Sequence, residues 1–350
     1  MRMATNKKLA VYGAGAMGTV LGALLSKTGQ DVTLISRNQA HINGLKEFGA
    51  KIVCSAIGKE WTIPVNAITP DEMQDKYDVI FLMTKQRENK KIVEFLLPYL
   101  TENGIICTTQ NGFPERSVAE VLGKERTYGA VLTWGATFLG GGGTELTSDP
   151  SAMRMQIGGY ENDNSKTDEL VEILSPVGKE VGSENFVKRT DNLAGVRWSK
   201  LALNSAFSGL SVVTGLTFGE IAKKRKSLNL VIDILQETLA VANASGVKLE
   251  PMQGKDMQKL LGGGKVSAKL KGFIILPFAI KKHKKLVSGM LKDLQKGKKC
   301  EIDYINGVVV EVGKEFGVKT PRSQKVVEIA HGIENGLYEI SYRNVDFFNE

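Results

Sequence analysis

The sequence is poor in the residues from which metal centres and disulfide frameworks are built. Its 350 residues include three cysteines, Cys54, Cys107 and Cys300, and three histidines without paired spacing. Widely separated thiols in this number match neither a disulfide scaffold nor a zinc pattern. We therefore expect no metal site and a reducing, cytoplasmic location.

Long hydrophobic runs are absent as well. The longest candidate, at 273–280, contains Pro277 and is far shorter than the roughly 18 residues that a membrane-spanning helix needs. The first eight residues lead directly into a strand-like segment and not into the apolar core of a signal peptide. A hydrophobic fraction of 42% over 350 residues is typical of a folded protein with two domains. We therefore expect no membrane partner and little disorder.

Positive charge is concentrated in two runs. The net charge is +8, residues 281–299 hold eight lysines against the single acid Asp293, and residues 223–226 are all basic. No helix-turn-helix, zinc or RNP motif accompanies these runs, so we expect no nucleic-acid partner. Two interpretations remain open: the lysines form a solvated face, or their field attracts an anionic cofactor and an anionic substrate.

The clearest motif lies near the start of the chain. A strand-like segment at 8–12 is followed by Gly13-Ala14-Gly15-Ala16-Met17-Gly18 and then by a long apolar helix-like segment. In a dinucleotide site Gly13 would permit the tight turn, Gly15 would let the backbone approach a pyrophosphate, and Gly18 would let the helix pack closely. The position of the motif between a strand and a helix predicts a Rossmann-type nucleotide domain. The alternative is a glycine-rich turn without a ligand.

The end of the second predicted strand indicates which cofactor is used. NAD sites usually carry an acid there, which binds the ribose 2′-hydroxyl. In this chain the strand at 31–35 runs into Ser36-Arg37-Asn38, and Asp31 lies at the other end. Because a guanidinium forms forked bonds to phosphate oxygens, Arg37 predicts NADPH. The alternative is an ordinary loop arginine.

Two later strands each end in a polar motif. The segment at 78–83 leads to Thr84-Lys85-Gln86, and the segment at 104–108 leads towards Gln110-Asn111-Gly112. Ligands of open α/β sheets bind outside the carboxyl ends of the strands. We therefore expect Lys85 and Asn111 to contact cofactor and substrate, although the Asn-Gly pair could also form a simple turn.

Hydrophobic periodicity predicts an α/β fold in two domains. We predict an N-terminal Rossmann-type, NADP-binding domain over residues 1–189 and an all-helical substrate and catalytic domain over residues 190–350. The first domain should close with a helix near 164–175 and a short strand at 179–182. Helices of the second domain are predicted at 191–211, 227–245, 254–262, 283–296, 302–317 and 321–340.

The first of these helices carries a line of polar residues. Lys200 and Asn204 are four residues apart and so share a helix face, and Ser208 continues the line by another turn. Hydride addition to a ketone builds negative charge on the carbonyl oxygen, which an ammonium can stabilise and protonate. Since an ordinary lysine has a pKa of about 10.4, we expect Lys200 to act as the acid without tuning. The alternative is a surface lysine on a polar face.

These motifs resemble those of the ketopantoate reductase (2-dehydropantoate 2-reductase) family, and the likeness covers nearly the whole chain. The matching segments are Gly13–Gly18, Thr84-Lys85, Gln110-Asn111-Gly112, Gly135-Ala136-Thr137, Trp198–Asn204, Leu210–Glu220 and Glu301–Gly307. The resemblance implies an N-terminal Rossmann domain, a helical C-terminal domain and an active site in the cleft between them.

The resemblance also implies residue roles, with Lys200 as the proton donor. The cofactor-binding residues are expected to be Gly13, Ala14, Gly15, Ala16, Met17, Gly18, Arg37, Lys85, Asn111, Ala136 and Glu301. The substrate-binding residues are expected to be Asn111, Lys200, Asn204, Ser208 and Ser288. Three positions depart from the family pattern: Ser208 and Phe218 replace asparagines, and Gly289 replaces a serine to which Ser288 is adjacent.

Together these features predict an NADPH-dependent reductase that converts 2-dehydropantoate to (R)-pantoate in pantothenate and coenzyme A biosynthesis. The expected partner is a small 2-oxo acid, and a homodimer is allowed. Two alternatives stay open. One is a paralogous reductase of another 2-oxo acid or an opine-type imine, and the other is a non-catalytic NADP(H)-binding sensor.

Overall fold

The computed structural model describes residues 6–251, 256, 258–259 and 265–349. Backbone contacts divide the chain into two compact units. The first comprises the residues up to Gln110 together with Pro114–Leu193, and the second comprises Asn111–Phe113 together with the residues from Ala194 onward. Most of the helix predicted at 254–262 lies outside the described residues.

The first unit is built on strands that are mainly parallel. In chain order the strands are β1 (Lys8–Tyr12), β2 (Asp31–Ile35), β3 (Ala50–Cys54), β4 (Lys59–Ile63), β5 (Asn66–Ile68), β6 (Tyr77–Leu82), β7 (Leu100–Thr108), β8 (Thr127–Leu132), β9 (Ala136–Gly140), β10 (Gly143–Leu146), β11 (Met155–Gly159) and β12 (Val187–Arg189). The helices are α1 (Ala16–Lys27), α2 (Gln39–Phe48), α3 (Asn89–Leu96), α4 (Glu115–Leu122) and α5 (Thr167–Val181).

Within the described residues, eight of these strands form one sheet in the order β12-β11-β8-β7-β6-β1-β2-β5, and four form a second sheet in the order β4-β3-β10-β9. Every pair in the larger sheet is parallel except β8 with β11. β1 lies between β2, which follows it in the chain, and β6, which the chain reaches later. The carboxyl end of β1 is therefore the topological switch point, where ligands of such sheets bind.

Both faces of the larger sheet are buried, which explains the continuous apolar runs in its strands. Leu9 and Val11 of β1 belong to a core cluster on one face, and Ala10 and Tyr12 belong to a separate cluster on the other. This alternation follows from the two-residue repeat of a strand. The predicted Rossmann-type α/β architecture is confirmed.

The predicted end of the first unit is wrong in one respect. The helix expected to end near residue 175 continues through Pro176 to the end of α5, so there is no strand at 179–182. Leu174 and Val177 are fully buried on this helix, and their burial offsets the backbone hydrogen bond that the proline cannot make. The helix ends at Gly182, whose φ is +68°, and the edge strand is β12 instead.

The second unit is helical, as predicted. Its helices are α6 (Leu193–Leu203), α7 (Gly209–Thr214), α8 (Phe218–Lys223), α9 (Arg225–Ala244), α10 (Lys265–Ala279), α11 (Gly289–Leu294), α12 (Asn306–Glu315) and α13 (Pro321–Glu334). The segment Asn204–Ser208 joins α6 to α7 and is a π-helix, which the sequence did not predict.

The predicted helix at 283–296 is too long. It is confined to α11, because Ser288 caps that helix at its start and the lysines before it offer no apolar face to bury. Among the described helices, none has the length and apolar character that crossing a membrane requires. In the basic run at 281–299, the lysines whose exposure the structure describes are all exposed: Lys281, Lys284, Lys285, Lys292, Lys296, Lys298 and Lys299.

His41 connects α2 to its neighbours in the first unit. Its ring is buried, Nε2 lies 2.9 Å from the Thr19 hydroxyl, and Nδ1 accepts the Gly142 N–H at 3.1 Å. Burial lowers the pKa of His41. The neutral ring therefore fastens α1 and the β9–β10 turn to α2.

We predict that acid destabilises the first unit through this ring. Because the folded pKa lies below the unfolded value of about 6.5, the unfolded state binds more protons between the two values, and stability falls as the pH drops below about 6.5. The His41→Gln variant should therefore lose less of its thermal-unfolding midpoint than the wild type between about pH 7.5 and about pH 5.5. Equal losses in both proteins would contradict this role.

Candidate active site

The loop between β1 and α1 lies against the ends of two neighbouring strands. The N–H groups of Gly13 and Ala14 both donate to the Ile35 carbonyl at 2.9 Å. Gly13 has a φ of +104°, and a Cβ there would lie 2.7 Å from the carbonyl carbon of Met83 and from the nitrogen of Thr84. The loop thus meets the ends of β1, β2 and β6 with no space for a side chain at its first position.

The other two glycines serve different needs. A Cβ at Gly18 would lie 2.4 Å from the Gly13 carbonyl oxygen, so a larger residue would push α1 away from the loop. A Cβ at Gly15 would meet nothing within 4 Å. It would instead fill the open space through which a pyrophosphate approaches the backbone. The geometry of all three glycines fits a dinucleotide.

The N-terminus of α1 also suits a phosphate. Its N-cap residue, Gly15, provides no side-chain hydrogen bond, and the first turn contains no acid. The leading N–H groups of this 12-residue helix can therefore donate to an anion, which the helix dipole favours. Ala14, Ala16 and Met17 would contribute through their backbone at this end of the helix.

The second strand ends without an acid, as predicted. Asp31 is exposed at the start of β2, and Ser36, Arg37 and Asn38 follow its end. Tyr12 at the end of β1 pairs with Ile35 at the end of β2, so the exposed Arg37, two residues after Ile35, belongs to the loop beside the carboxyl end of β1. Burial raises the pKa of Tyr12, and the charge of Arg37 opposes that rise. The Asn38 N–H donates to the Ser36 hydroxyl at 3.3 Å. The Arg37 guanidinium and the Ser36 hydroxyl are donors of the kind that bind a phosphate monoester.

Gln110 ties the ends of β6 and β7 together. Its Nε2 donates to the Thr84 carbonyl at 2.7 Å. Its Oε1 accepts from the Thr108 hydroxyl at 2.8 Å and from the Asn89 amide at 3.0 Å. This buried network supports the loop that carries the exposed Lys85. The sequence interpretation gave Gln110 no role, and a glutamine directly before an Asn-Gly pair was the available signal.

Ala136 lies at the start of β9, close to the glycine loop. The Thr144 hydroxyl lies 3.1 Å from the Thr137 carbonyl and 3.2 Å from the Ala16 carbonyl. These contacts bring the beginning of β9 beside the first turn of α1. The predicted cofactor residues of the first unit are therefore gathered around this helix end and the adjoining strand ends.

The second unit contains the predicted catalytic lysine. Asn111–Phe113 also belong to it, and the Phe113 ring packs against Trp198 with centroids 5.1 Å apart. Trp198 lies on α6, two residues before Lys200. The exposed Asn111 is thus on a segment anchored to the lysine-bearing helix.

The predicted line of polar residues is present, but it crosses the π-helical segment. The Ser208 hydroxyl donates to Asn204 Oδ1 at 2.8 Å, so the two side chains are neighbours and the Asn204 Nδ2 remains as the donor side of its amide. Leu201 and Ala206 are fully buried and hold the helix in the core. π-helical turns are rare and occur frequently at functional sites.

The electrostatics of Lys200 differ from the prediction. Burial, with a smaller contribution from the nearby charge of Arg197, lowers the pKa of Lys200 to about 7. By surface area the whole Lys200 residue is half-buried, and the lowered pKa reflects the loss of solvent around its ammonium. The neighbouring Arg197 is 2% exposed. The expectation of an untuned lysine is therefore wrong. A group with a pKa near neutrality can both give and regain a proton at neutral pH.

Ser288 and Glu301 precede two further helices of this unit. The Ser288 N–H donates to the Ser211 hydroxyl on α7 at 3.2 Å. The Ser288 hydroxyl accepts the Met290 N–H at 3.1 Å as the N-cap of α11. This serine therefore has a structural role that the sequence prediction did not include. Glu301 precedes the single helical turn at 302–304, which leads into α12.

No group of three or more His, Cys, Asp or Glu side chains is arranged to hold a metal ion within the described residues. Cys54, Cys107 and Cys300 are buried and carry free thiols. Burial raises the pKa of Cys300 to about 12, so this thiol stays protonated.

The chain is similar to known proteins along most of its length. The family model "Ketopantoate reductase PanE/ApbA" matches residues 9–160, and "Ketopantoate reductase PanE/ApbA C terminal" matches residues 192–334. The 2-dehydropantoate 2-reductase of Lactococcus lactis is 26% identical over 334 residues, which cover 94% of this chain and 99% of that protein. Its counterpart from Pyrococcus abyssi is 27% identical over 318 residues, which cover 90% of this chain and 93% of that protein.

The fold has solved relatives as well. D-mandelate dehydrogenase, in a ternary structure with NADH and anilino(oxo)acetate, has a TM-score of 0.79 at 24% identity, with 94% of this chain and 99% of that chain covered. That likeness concerns the fold alone, whereas the two family models match most of both units. The chain accordingly belongs to the ketopantoate reductase (PanE/ApbA) family of oxidoreductases.

Proposed function

We propose that this protein is an NADPH-dependent 2-dehydropantoate 2-reductase that forms (R)-pantoate in pantothenate and coenzyme A biosynthesis. The observation that carries the proposal is a lysine with a pKa of about 7 in line with Asn204 and Ser208, in a chain of this family. The curated relatives from Lactococcus lactis and Pyrococcus abyssi carry the same enzyme name.

The cofactor proposal rests on the first unit. NADPH, when bound, supplies the hydride. The glycine loop and the N-terminus of α1 would hold its pyrophosphate, and Arg37 with Ser36 would hold the 2′-phosphate. Lys85, Asn111, Ala136 and Glu301 are proposed to contact the remaining parts of the cofactor.

The proton would come from Lys200. Its ammonium stabilises the negative charge that develops on the substrate oxygen and then donates a proton to that oxygen. The Nδ2 of Asn204 can donate to the substrate, because its Oδ1 is already bonded to Ser208. Asn111 and Ser288 are proposed as further donors to the substrate carboxylate.

A second candidate is a reductase of another 2-oxo acid. The solved structure with a TM-score of 0.79 is a D-mandelate dehydrogenase, and the departures at Ser208, Phe218 and Gly289 each remove or shift a donor that the family pattern has there. Steady-state oxidation of NADPH should be measured with ketopantoate and with aliphatic and aromatic 2-oxo acids. A kcat/KM for ketopantoate well below that of another 2-oxo acid would favour this candidate, and no turnover with any of them would favour the sensor.

We predict that the enzyme prefers NADPH over NADH by at least about tenfold, which corresponds to about 1.4 kcal/mol. The Arg37→Ala variant should lose mainly NADPH affinity, because only NADPH carries the phosphate that the guanidinium would bind. Dissociation constants of both cofactors for both proteins test this. Equal affinity of the wild type for NADPH and NADH would contradict the assignment.

The Lys200→Ala variant should lower kcat by about 100-fold or more, as expected on removal of a positioned acid, while NADPH still binds.

In the wild type, kcat/KM should fall as the pH rises through about 7, because the acid must be protonated. In the Arg197→Met variant this fall of kcat/KM should occur at higher pH, because removal of the repelling charge raises the pKa of Lys200. The role of Lys200 would be refuted if kcat/KM fell with rising pH in both variants as it does in the wild type. A Lys200→Ala enzyme that loses only cofactor affinity would refute it as well.

The Ser288→Ala variant should raise KM for ketopantoate by about ten- to a hundredfold, because a hydrogen bond to a charged group contributes about 1.5–3 kcal/mol. NADPH binding should not change. Ser288→Thr is the matched control, since it keeps both the hydroxyl and the helix cap. If the alanine variant loses only thermal stability, the serine is a cap and not a substrate residue.

A further inference from the structure

A side chain from another element contacts the backbone of the π-helical segment Asn204–Ser208. Asn306, the first residue of α12, is fully buried, and its Nδ2 donates to the Ser205 carbonyl at 3.0 Å. Ser205 directly follows Asn204. The bond therefore reaches the backbone of the turn whose side chains form the proposed substrate line.

The segment is held from a second direction as well. The Ser205 hydroxyl donates to the Ala202 carbonyl at 3.1 Å and lies 3.0 Å from the Thr238 hydroxyl on α9. A Cβ at Gly209 would lie 2.7 Å from Asn306 Oδ1 and 3.0 Å from its Nδ2, so the amide lies directly against the helix backbone. The wide turn is thus fixed between α9 and α12.

Only half of the Asn306 amide is used in this arrangement. Its Oδ1 is buried and has no hydrogen-bond partner among the residues that the structure describes. An unpaired buried acceptor costs stability, and an apolar side chain of the same size would avoid that cost. Stability alone therefore does not explain an asparagine here, whereas the bond to the π-helical segment does.

We propose that Asn306 is a positioning residue of the reductase. Its bond to the Ser205 carbonyl sets the wide turn, and so sets where Asn204 and Ser208 project relative to Lys200. Without the bond the turn loses its contact with α12, and the Asn204 amide shifts. This inference rests on the proposed function, because the consequence for catalysis concerns Lys200 and Asn204.

The test is the Asn306→Leu variant, which keeps the branched outline and the number of heavy atoms of the side chain and removes its single donated bond together with the unpaired acceptor. Asn344→Leu is the matched control. Asn344 is also buried, and its Nδ2 donates to the carbonyls of Val213 and Glu339 at 2.7 and 2.9 Å, outside the π-helical segment. The two variants therefore remove the same kind of bond within one unit.

We expect Asn306→Leu to lower kcat by at least about tenfold, because displacement of a reacting group by about 1 Å can lower a rate by about 100-fold. KM for the 2-oxo acid should rise, the NADPH dissociation constant should not change, and the thermal midpoint should fall no further than in Asn344→Leu. The control should keep kcat and KM within about twofold of the wild type. Values of kcat and KM for Asn306→Leu as close to the wild type as those of the control would overturn the proposal.

Gly209→Ala provides a second variant, which keeps Asn306 and displaces its amide through the added Cβ. Alanine favours a helix more than glycine does, so this variant should fold even if the leucine variant does not, and it should reproduce the kcat loss. Amide hydrogen exchange at residues 204–209 gives a readout that does not depend on turnover. If exchange is faster in both variants but the wild type shows no turnover, the reductase function is refuted and the positioning role of Asn306 is kept. If exchange is unchanged and the variants turn over substrate normally, the positioning role is refuted.

Discussion

The first unit depends on how closely α1 approaches the loop that follows β1. At Gly18 a Cβ would lie only 2.4 Å from the Gly13 carbonyl oxygen, so this approach exists only without a side chain. The N–H groups of Gly13 and Ala14 bond to the end of β2, and the same loop touches the residues that follow β6. Because of this close contact, the N-terminus of α1, Arg37 and the loop that carries Lys85 lie along one edge of the sheet. The chemistry offered there comes mainly from the backbone, as expected for a phosphate site.

The second unit depends on side chains in place of backbone. α6 and the π-helical segment are embedded through Leu201 and Ala206, and burial also withdraws solvent from Lys200 and lowers its pKa to about 7. Burying an ammonium opposes folding, and the buried charge of Arg197 adds repulsion. The surrounding apolar core must offset that cost. Burial around α6 thus sets both the packing of this unit and the pKa of Lys200. A substitution that loosens the core around α6 would alter both.

The π-helical turn connects this core to Asn204 and Ser208, which are proposed to bind the substrate. It keeps Ser208 bonded to Asn204, which orients an amide that would otherwise be free to rotate. Ser208 stands where the resemblance implied an asparagine, and its hydroxyl proton is used in the bond to Asn204. Asn204 then presents Nδ2 as a donor. This difference is a physical reason to compare several 2-oxo acids before the substrate is assigned.

The sequence by itself determined the division into a Rossmann-type α/β region and a helical region, the glycine loop, the absence of an acid after β2 and the spacing of Lys200 from Asn204. All of these follow from local periodicity and from residue types that sterics permit at few positions. Tertiary structure alone decided the length of α5 beyond Pro176, the π-helical turn, the capping role of Ser288 and the pKa of Lys200. Each of these depends on neighbours that are distant in the chain, because burial and hydrogen bonding to other elements outweigh local propensity. A lysine in a sequence carries no sign of whether its ammonium will keep its water, and that is settled only when the core closes around it.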